Sequence, residues 1–300
     1  FPFSSPLKTI PPYRQEKPLN SRIISIYYGR SLTKMDKIIS QSQLRYLKSR
    51  KRQHFCIIIM RTLILVLLIG GWELCADIGV LNSFVFSSPS RIIRCFTDMA
   101  GTGIIWKHLW VTVYETLICF SIVIAAGMLC AMLMWRFRMV FKIAEPYIVL
   151  LNSLPKSALA PVLIVWLGNN VKTIIVAAVS VAIFGAVLSI YTAFIETDPE
   201  KIKLIRTLGG KRRHILTKLV IPSSIPTIIN TMKVNLGLSL VGVIIGEFLA
   251  ADSGLGYLII YGSQVFKMDW VLMSIVILCI LSGVLYKLIN ILEKKAGHSS

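Results

Sequence analysis

The sequence predicts an all-α polytopic membrane protein with six transmembrane helices. It is too apolar for a water-soluble fold, and its apolar residues fall in runs long enough to cross a bilayer. Of its 300 residues, 55% are hydrophobic and 16% charged, against about 25% charge in an ordinary soluble domain. A helix needs about twenty mostly apolar residues to cross the hydrocarbon layer, and such runs lie at roughly 57–78, 111–134, 144–166, 173–194, 227–250 and 270–291. Strands of a membrane barrel are about ten residues long and alternate polar with apolar. These runs are longer and apolar all round, so helices are predicted and no length is left for a soluble domain.

The formal charge of +19 raises nucleic acid as a partner. The basic residues, however, sit between the apolar runs and not along one soluble face, which favours the cytoplasmic bias of basic loops and no nucleic-acid role. An N-in, C-in arrangement puts thirteen Lys/Arg of 135–143, 195–222 and 287–300 in the cytoplasm and leaves five outside: Arg91, Arg94, Lys107, Lys172 and Lys267. Residues 1–54 lack sustained apolar periodicity and read as a basic tail, disordered or lying on anionic headgroups. Met35 is the first methionine and the suspected natural start. The six-helix domain is expected over 55–292 and a short cytoplasmic tail over 293–300. A signal peptide at 48–78 is the competing reading, but the apolar run is long and no A-x-A-like site follows it, so an uncleaved first helix is preferred. The six cysteines show no CxxC spacing and read as small buried hydrophobes.

The most informative segment lies between the fourth and fifth runs, over 198–222. Asp198 suits a helix N-cap, Pro199 the first helical position and Glu200 the positive end of the helix dipole. Ile202, Ile205 and Leu208, flanked by Leu204, make an apolar stripe. Gly209 and Gly210 supply positive φ angles that end a helix and turn the chain. A second short helix is expected to carry Ile215, Leu216 and Leu219, with Pro222 and Pro226 stopping it and opening the fifth span. Such a folded amphipathic loop suits docking of a soluble partner. A loop lying on headgroups through Lys211, Arg212 and Arg213 is the plainer alternative.

This loop resembles the cytoplasmic signature of the permease subunits of binding-protein-dependent ABC importers: EAA, three residues, glycine, nine residues, isoleucine, one residue, Leu-Pro. Gly209 is followed here by nine residues and then Leu219-Val220-Ile221-Pro222, whereas Lys203, Leu204 and Ile205 stand at the EAA positions. The resemblance covers roughly 70–292 and is greatest to permeases for aliphatic sulfonates, taurine, nitrate and thiamine-precursor pyrimidines. It is also carried by Ser88-Pro89-Ser90, by Leu154-Pro155, Ala158-Leu159-Ala160-Pro161 and Trp166-Leu167-Gly168, and by Gly246-Glu247-Phe248 with Ser253-Gly254-Leu255-Gly256-Tyr257. It implies the type I ABC importer permease fold in a bacterial inner membrane, a second permease copy in a homodimer, and an extracytoplasmic substrate-binding protein. It also implies two cytoplasmic ATPase subunits gripping the loop through Lys203, Leu204, Ile205, Leu208, Gly209, Gly210, Leu219, Ile221 and Pro222. No cofactor is expected on this chain, and ATP is used by the partners.

Five ionisable residues fall in or near spans: Glu73, Glu115, Lys156, Lys233 and Glu247. Burying such groups is costly, which makes them functional candidates. Glu73, Glu115 and Lys233 lie near span ends, where snorkelling satisfies them. Lys156, between Pro155 and Pro161, is a candidate for the translocation path, facing an anionic substrate or pairing with a buried glutamate. Glu247 is a candidate to close the external gate or to pair with Lys156. Gly237, Ser239, Gly242 and Gly246 recur along the fifth span and suit close helix packing, with Gly242 also compatible with lining the path. Residues 88–99 read as an interfacial helix on the outer face, a seat for the binding protein or a plain surface helix. No GxxxxGK[ST], HExxH or GxSxG occurs, so the chain is not expected to be an enzyme. An ion-coupled secondary transporter is the runner-up; it calls for internal repeats and clustered intramembrane carboxylates, and neither is visible in the sequence.

Overall fold

The computed structural model describes residues 52, 53 and 55–297. The expected tail over 1–54, with Met35, lies outside them apart from Arg52 and Gln53. No strand occurs among the described residues. The chain divides into two units, 1–70 and 71–300. Within the first, residues 55–70 belong to helix α1 (Phe55–Asp77), whose apolar side chains such as Leu67 and Leu68 are exposed, as suits a surface solvated by lipid.

The second unit continues through α2 (Ser83–Phe86), α3 (Pro89–Gly101), α4 (Ile104–Arg136), α5 (Arg138–Ser153), α6 (Lys156–Leu167) and α7 (Val171–Ile195). It then runs through α8 (Pro199–Thr207), α9 (Arg212–Ile215), a π-helical turn at Leu216–Val220, α10 (Ile221–Ala250), α11 (Leu255–Gln264) and α12 (Met268–Gly297). The last helix therefore continues into the segment expected as the C-terminal tail.

Among the described residues, five helices are long and apolar enough to cross a membrane: Phe55–Asp77, Ile104–Arg136, Val171–Ile195, Arg212–Ala250 and Met268–Ile291. The sixth span expected from the sequence, the third in order, is broken. Arg138–Ser153 and Ala158–Leu167 meet at 103°. Pro155 explains the break, because its ring drives the preceding residue into extended backbone; Leu154 has φ −64 and ψ 140. The fifth span departs from expectation in the opposite sense. Pro222 and Pro226 were expected to stop one helix and open the next, yet helix runs without interruption from Arg212 to Ala250. A proline ring crowds the carbonyl four residues back, and the wider π turn at Leu216–Val220 relieves that crowding ahead of Pro222.

At the centre, α7 packs along α4 and α10. Ala178, Ala182 and Ala186 of α7 are fully buried against Cys119 and Val123 of α4 and Val243 of α10. Small residues let these backbones approach, the means of association left to helices whose solvent is as apolar as their side chains. A Cβ on Gly242 would lie 2.8 Å from Ala178 Cα, and one on Gly246 3.0 Å from Ile174 Cα. Gly237 meets nothing within 4 Å, so it takes no part in this seam.

Candidate functional site

The loop leaving α7 folds as a helical hairpin closed by local hydrogen bonds. Asp198 caps α8, its Oδ1 accepting from Glu200 N at 2.9 Å, and Pro199 occupies the first turn, where a missing N–H costs nothing. At the other end Gly209 N donates to Arg206 O (3.0 Å) and Gly210 N to Ile205 O (2.8 Å), the paired 5→2 and 6→1 bonds of a Schellman motif. The two glycines serve different needs, and only Gly209 has the positive φ expected of both. Gly209 has φ +78 with open space around it, whereas a Cβ on Gly210 would sit 2.7 Å from Ile205 O. The N-terminus of α9 is closed by Lys211 N donating to His214 Nδ1 at 3.3 Å.

Packing sorts the apolar stripe of α8 into two faces. Ile202 and Ile205 turn inward onto a cluster built from Phe194, Ile215, Val220 and Ile190. Leu204 and Leu208 point outward, 58% and 77% exposed. Of the nine expected docking residues, Leu204 and Leu208 are therefore the apolar projections and Lys203 is exposed beside them. Ile205, Leu219 and Ile221 hold the hairpin to the bundle, Gly209 and Gly210 shape its turn, and Pro222 lies within the continuous helix that leaves it.

A second polar cluster lies about 45 Å away, at the far end of the 30-residue helix α10. Three successive amides at the start of α11 point inward: Gly254 N donates to His108 Nδ1 (2.9 Å), Leu255 N to Thr112 Oγ1 (2.8 Å) and Gly256 N to Glu247 Oε2 (2.6 Å). Thr112 Oγ1 in turn donates to Glu247 Oε1 at 2.7 Å. Glu247 is 1% exposed, and its carboxylate faces the positive end of the α11 dipole. The loop glycines permit the approach, since a Cβ on Gly254 would meet Glu247 Oε1 at 2.5 Å. Glu115, also 1% exposed, lies against Glu247 with Oε2 unpartnered.

This arrangement departs from the sequence reading at several residues. Glu115 is not at a span end but in the core, because α4 begins at Ile104, about two turns before the apolar run that located it. Glu247 pairs with Thr112 and Gly256, not with Lys156, whose Nζ bonds the Asn152 carbonyl across the α5–α6 break. Lys233 is held by Glu293 at 2.7 Å, and Glu73 accepts from Ser90 N at 3.0 Å. Pro161 lies inside α6 without ending it. His108 and Thr112 were missed; their spacing of four places them on one face of α4, which is the signal that was available. Helix α3 is capped by Ser88, buries Ile92 and Met99, and is tied to the start of α12 by Arg91–Asp269 at 2.9 Å.

Among the described residues, five helices long and apolar enough to span, a sharply bent helix pair and a capped hairpin define a multi-pass membrane protein. The chain belongs to the family of binding-protein-dependent transport system inner membrane components, whose model matches residues 123–297. It is thus the membrane-spanning subunit of such a transport system.

Similar proteins include the formylaminopyrimidine transport permease protein of Halalkalibacterium halodurans, 26% identical over 65% of this chain and 78% of that protein. The riboflavin transport system permease protein of Chloroflexus aurantiacus is 22% identical over 77% and 86%. A Bacillus subtilis permease named for aliphatic sulfonate transport is 23% identical over 76% and 83%. Among solved structures, the inward-facing MetNI methionine ABC transporter matches with a TM-score of 0.55, 18% identity and coverage of 65% of this chain and 95% of that one, a likeness of fold.

Proposed function

We propose that two copies of this chain form the translocation path of an importer whose energy comes from two cytoplasmic ATPase subunits docked on the α8–α9 hairpin. The supporting observation is the hairpin itself: a turn locked by a Schellman motif, anchored inward by Ile202 and Ile205, with Leu204 and Leu208 left exposed outward. An exposed leucine pair on a rigid, locally closed helix suits an apolar groove on a soluble partner. ATP binding and hydrolysis belong to that partner, and movement of the hairpin is passed to α7 and α10, which it joins. The bias of basic residues supports a cytoplasmic hairpin and cytoplasmic termini. An extracytoplasmic binding protein delivers the substrate to the opposite face, near α3.

The relatives named for sulfonates, formylaminopyrimidine and riboflavin support a small organic solute as cargo, within a range that includes taurine, nitrate and pyrimidine precursors. The path runs beside the α5–α6 break, where Pro155 and Pro161 free backbone carbonyls that need a polar, water-lined or protein-lined surround and Lys156 caps the Asn152 carbonyl. Gly242 and Glu247 support it from within the protomer, Gly242 through the α7 seam and Glu247 by fixing the start of α11.

One observation favours the ion-coupled alternative: Glu115 and Glu247 form a buried carboxyl cluster that the sequence did not show. Both oxygens of Glu247 are committed to Thr112 and Gly256, an anchoring arrangement, and the import reading stands ahead of it. The two separate in proteoliposomes containing the chain with its cognate ABC ATPase subunit. Uptake that requires ATP and fails with Leu204→Asp and Leu208→Asp supports the proposal. Uptake by the chain alone, driven by a proton gradient and indifferent to ATP, refutes it.

A further inference from the structure

A cavity of about 400 Å³ opens where the C-terminal end of α4 and the start of α5 meet α7, α8 and α9. Arg136, Arg138, Arg206 and Arg212 line it, and no carboxylate does. Its floor is apolar: Tyr191, Phe194 and Ile215 are 5%, 0% and 1% exposed. Among the described residues the ion pairs are Arg91–Asp269 and Lys233–Glu293, so none of these four guanidiniums has a carboxylate partner. Arg136 lies over the Phe137 ring at 4.9 Å. Glu145 on α5 acts on Tyr191 from a distance but stays outside the lining.

Four like charges around one concavity repel one another and are stabilised by an anion entering between them. Guanidinium forks match the geometry of phosphate oxygens. The cavity sits at a membrane boundary, because Arg136 ends one spanning helix and Arg138 starts the first half of the broken span. Ile195 at its lip is 54% exposed. A soluble phosphate has no use for such an apolar floor and lip, whereas a headgroup entering with its glycerol and first acyl carbons does. Basic pockets between spanning helices are general sites for anionic headgroups.

We propose that this cavity binds the headgroup of an anionic glycerophospholipid, the phosphate held by the four arginines and the glycerol region resting on Tyr191 and Phe194. Since α8 contributes Arg206 and Ile202 from its inward face, the lipid would brace the hairpin from behind while Leu204 and Leu208 remain free outside. The site needs only the spans to cross a bilayer, and its test is independent of substrate and of the energy source.

The test is native mass spectrometry of the delipidated full chain in detergent, titrated with phosphatidylglycerol or with phosphatidylethanolamine of the same acyl chains. Preferential retention of phosphatidylglycerol is expected. An Arg138→Gln, Arg206→Gln double variant should bind it roughly thirty-fold more weakly, the scale for removing two cations from an anionic headgroup. Arg94→Gln with Lys267→Gln, which removes two cations at the opposite end, should leave retention unchanged. Equal retention of the two lipids, or a phosphatidylglycerol preference that survives the Arg138/Arg206 change in a variant with an unaltered melting temperature, overturns the proposal. So does displacement by soluble glycerol phosphate at the lipid's own concentration, which would assign a free-phosphate site. Expulsion of the lipid when the ATPase subunit binds overturns it too, assigning the arginines to that protein.

Discussion

The two adjacent glycines of the hairpin should respond to substitution in opposite ways. Gly209 has φ +78 and open space, so Gly209→Ala meets no clash but bears the left-handed penalty of about 1–2 kcal/mol. That reduces the closed turn by roughly five- to thirty-fold relative to open forms, and apparent affinity for a docking partner falls by up to that factor once the closed form is no longer dominant. Asparagine tolerates this region, so Gly209→Asn should recover most of the loss. At Gly210 the obstacle is space, with a Cβ 2.7 Å from Ile205 O. Gly210→Ala must break the Gly210 N to Ile205 O bond or displace Ile205 from the core, costing about 1–3 kcal/mol, and asparagine should do no better. The assay is affinity of the reconstituted permease for its ATPase subunit, with ATP-dependent uptake measured in parallel. Equal damage from Gly209→Ala and Gly209→Asn, or wild-type docking by Gly210→Ala, would refute the assignment of distinct roles.

The α7–α10 seam predicts that Gly242→Ala, pressing on the Ala178 backbone, lowers the melting temperature in detergent by an amount equivalent to about 1–3 kcal/mol, whereas Gly237→Ala, with nothing within 4 Å, is neutral or stabilising. Thr112→Val strands the buried Leu255 amide at a cost of about 1–3 kcal/mol; faster amide exchange at 254–256 is expected, with Thr112→Ser restoring protection, and unchanged exchange would remove Thr112 from the anchor. Burial pushes the Cys95 thiol up, and the Asp269 and Asp98 carboxylates add to it against the pull of Lys267. A variant retaining Cys95 alone should therefore react slowly with an impermeant maleimide at neutral pH and faster as pH rises; labelling of intact cells also tests which side α3 faces.

The loop was legible in the sequence to its capping residues because its signals are local. An N-cap aspartate, a first-turn proline and a glycine pair act within one or two turns, and the hairpin follows them. The stripe Ile202, Ile205, Leu208 was only half right, because helical spacing groups residues by angle but does not say where the neighbouring helices lie. Phe194 and Ile215 cover Ile202 and Ile205, while Leu208, at the end of the helix, escapes past the turn.

The expected helix stop at Pro222 failed for a related reason. A proline disfavours a regular α-helix, but whether the chain breaks or widens into a π turn depends on the packing that holds both sides of it in line. At Pro155, where the preceding residue took extended backbone, the chain broke; at Pro222 it continued.

The carboxyl cluster lay beyond a linear reading. His108, Thr112 and Glu115 belong to α4, Glu247 to α10, and the amides they hold to a loop that only the crossing of those helices brings near. The same holds for the four arginines, each an ordinary basic residue outside the apolar runs until α4, α5, α7, α8 and α9 surround one cavity.

The sequence alone determined the apolar solvent, the long apolar helices, the capped hairpin and the family, because hydropathy and capping are properties of short stretches of chain. The tertiary structure decided which leucines face outward, which proline breaks a span, and which buried polar groups satisfy one another, because those outcomes depend on neighbours distant in sequence.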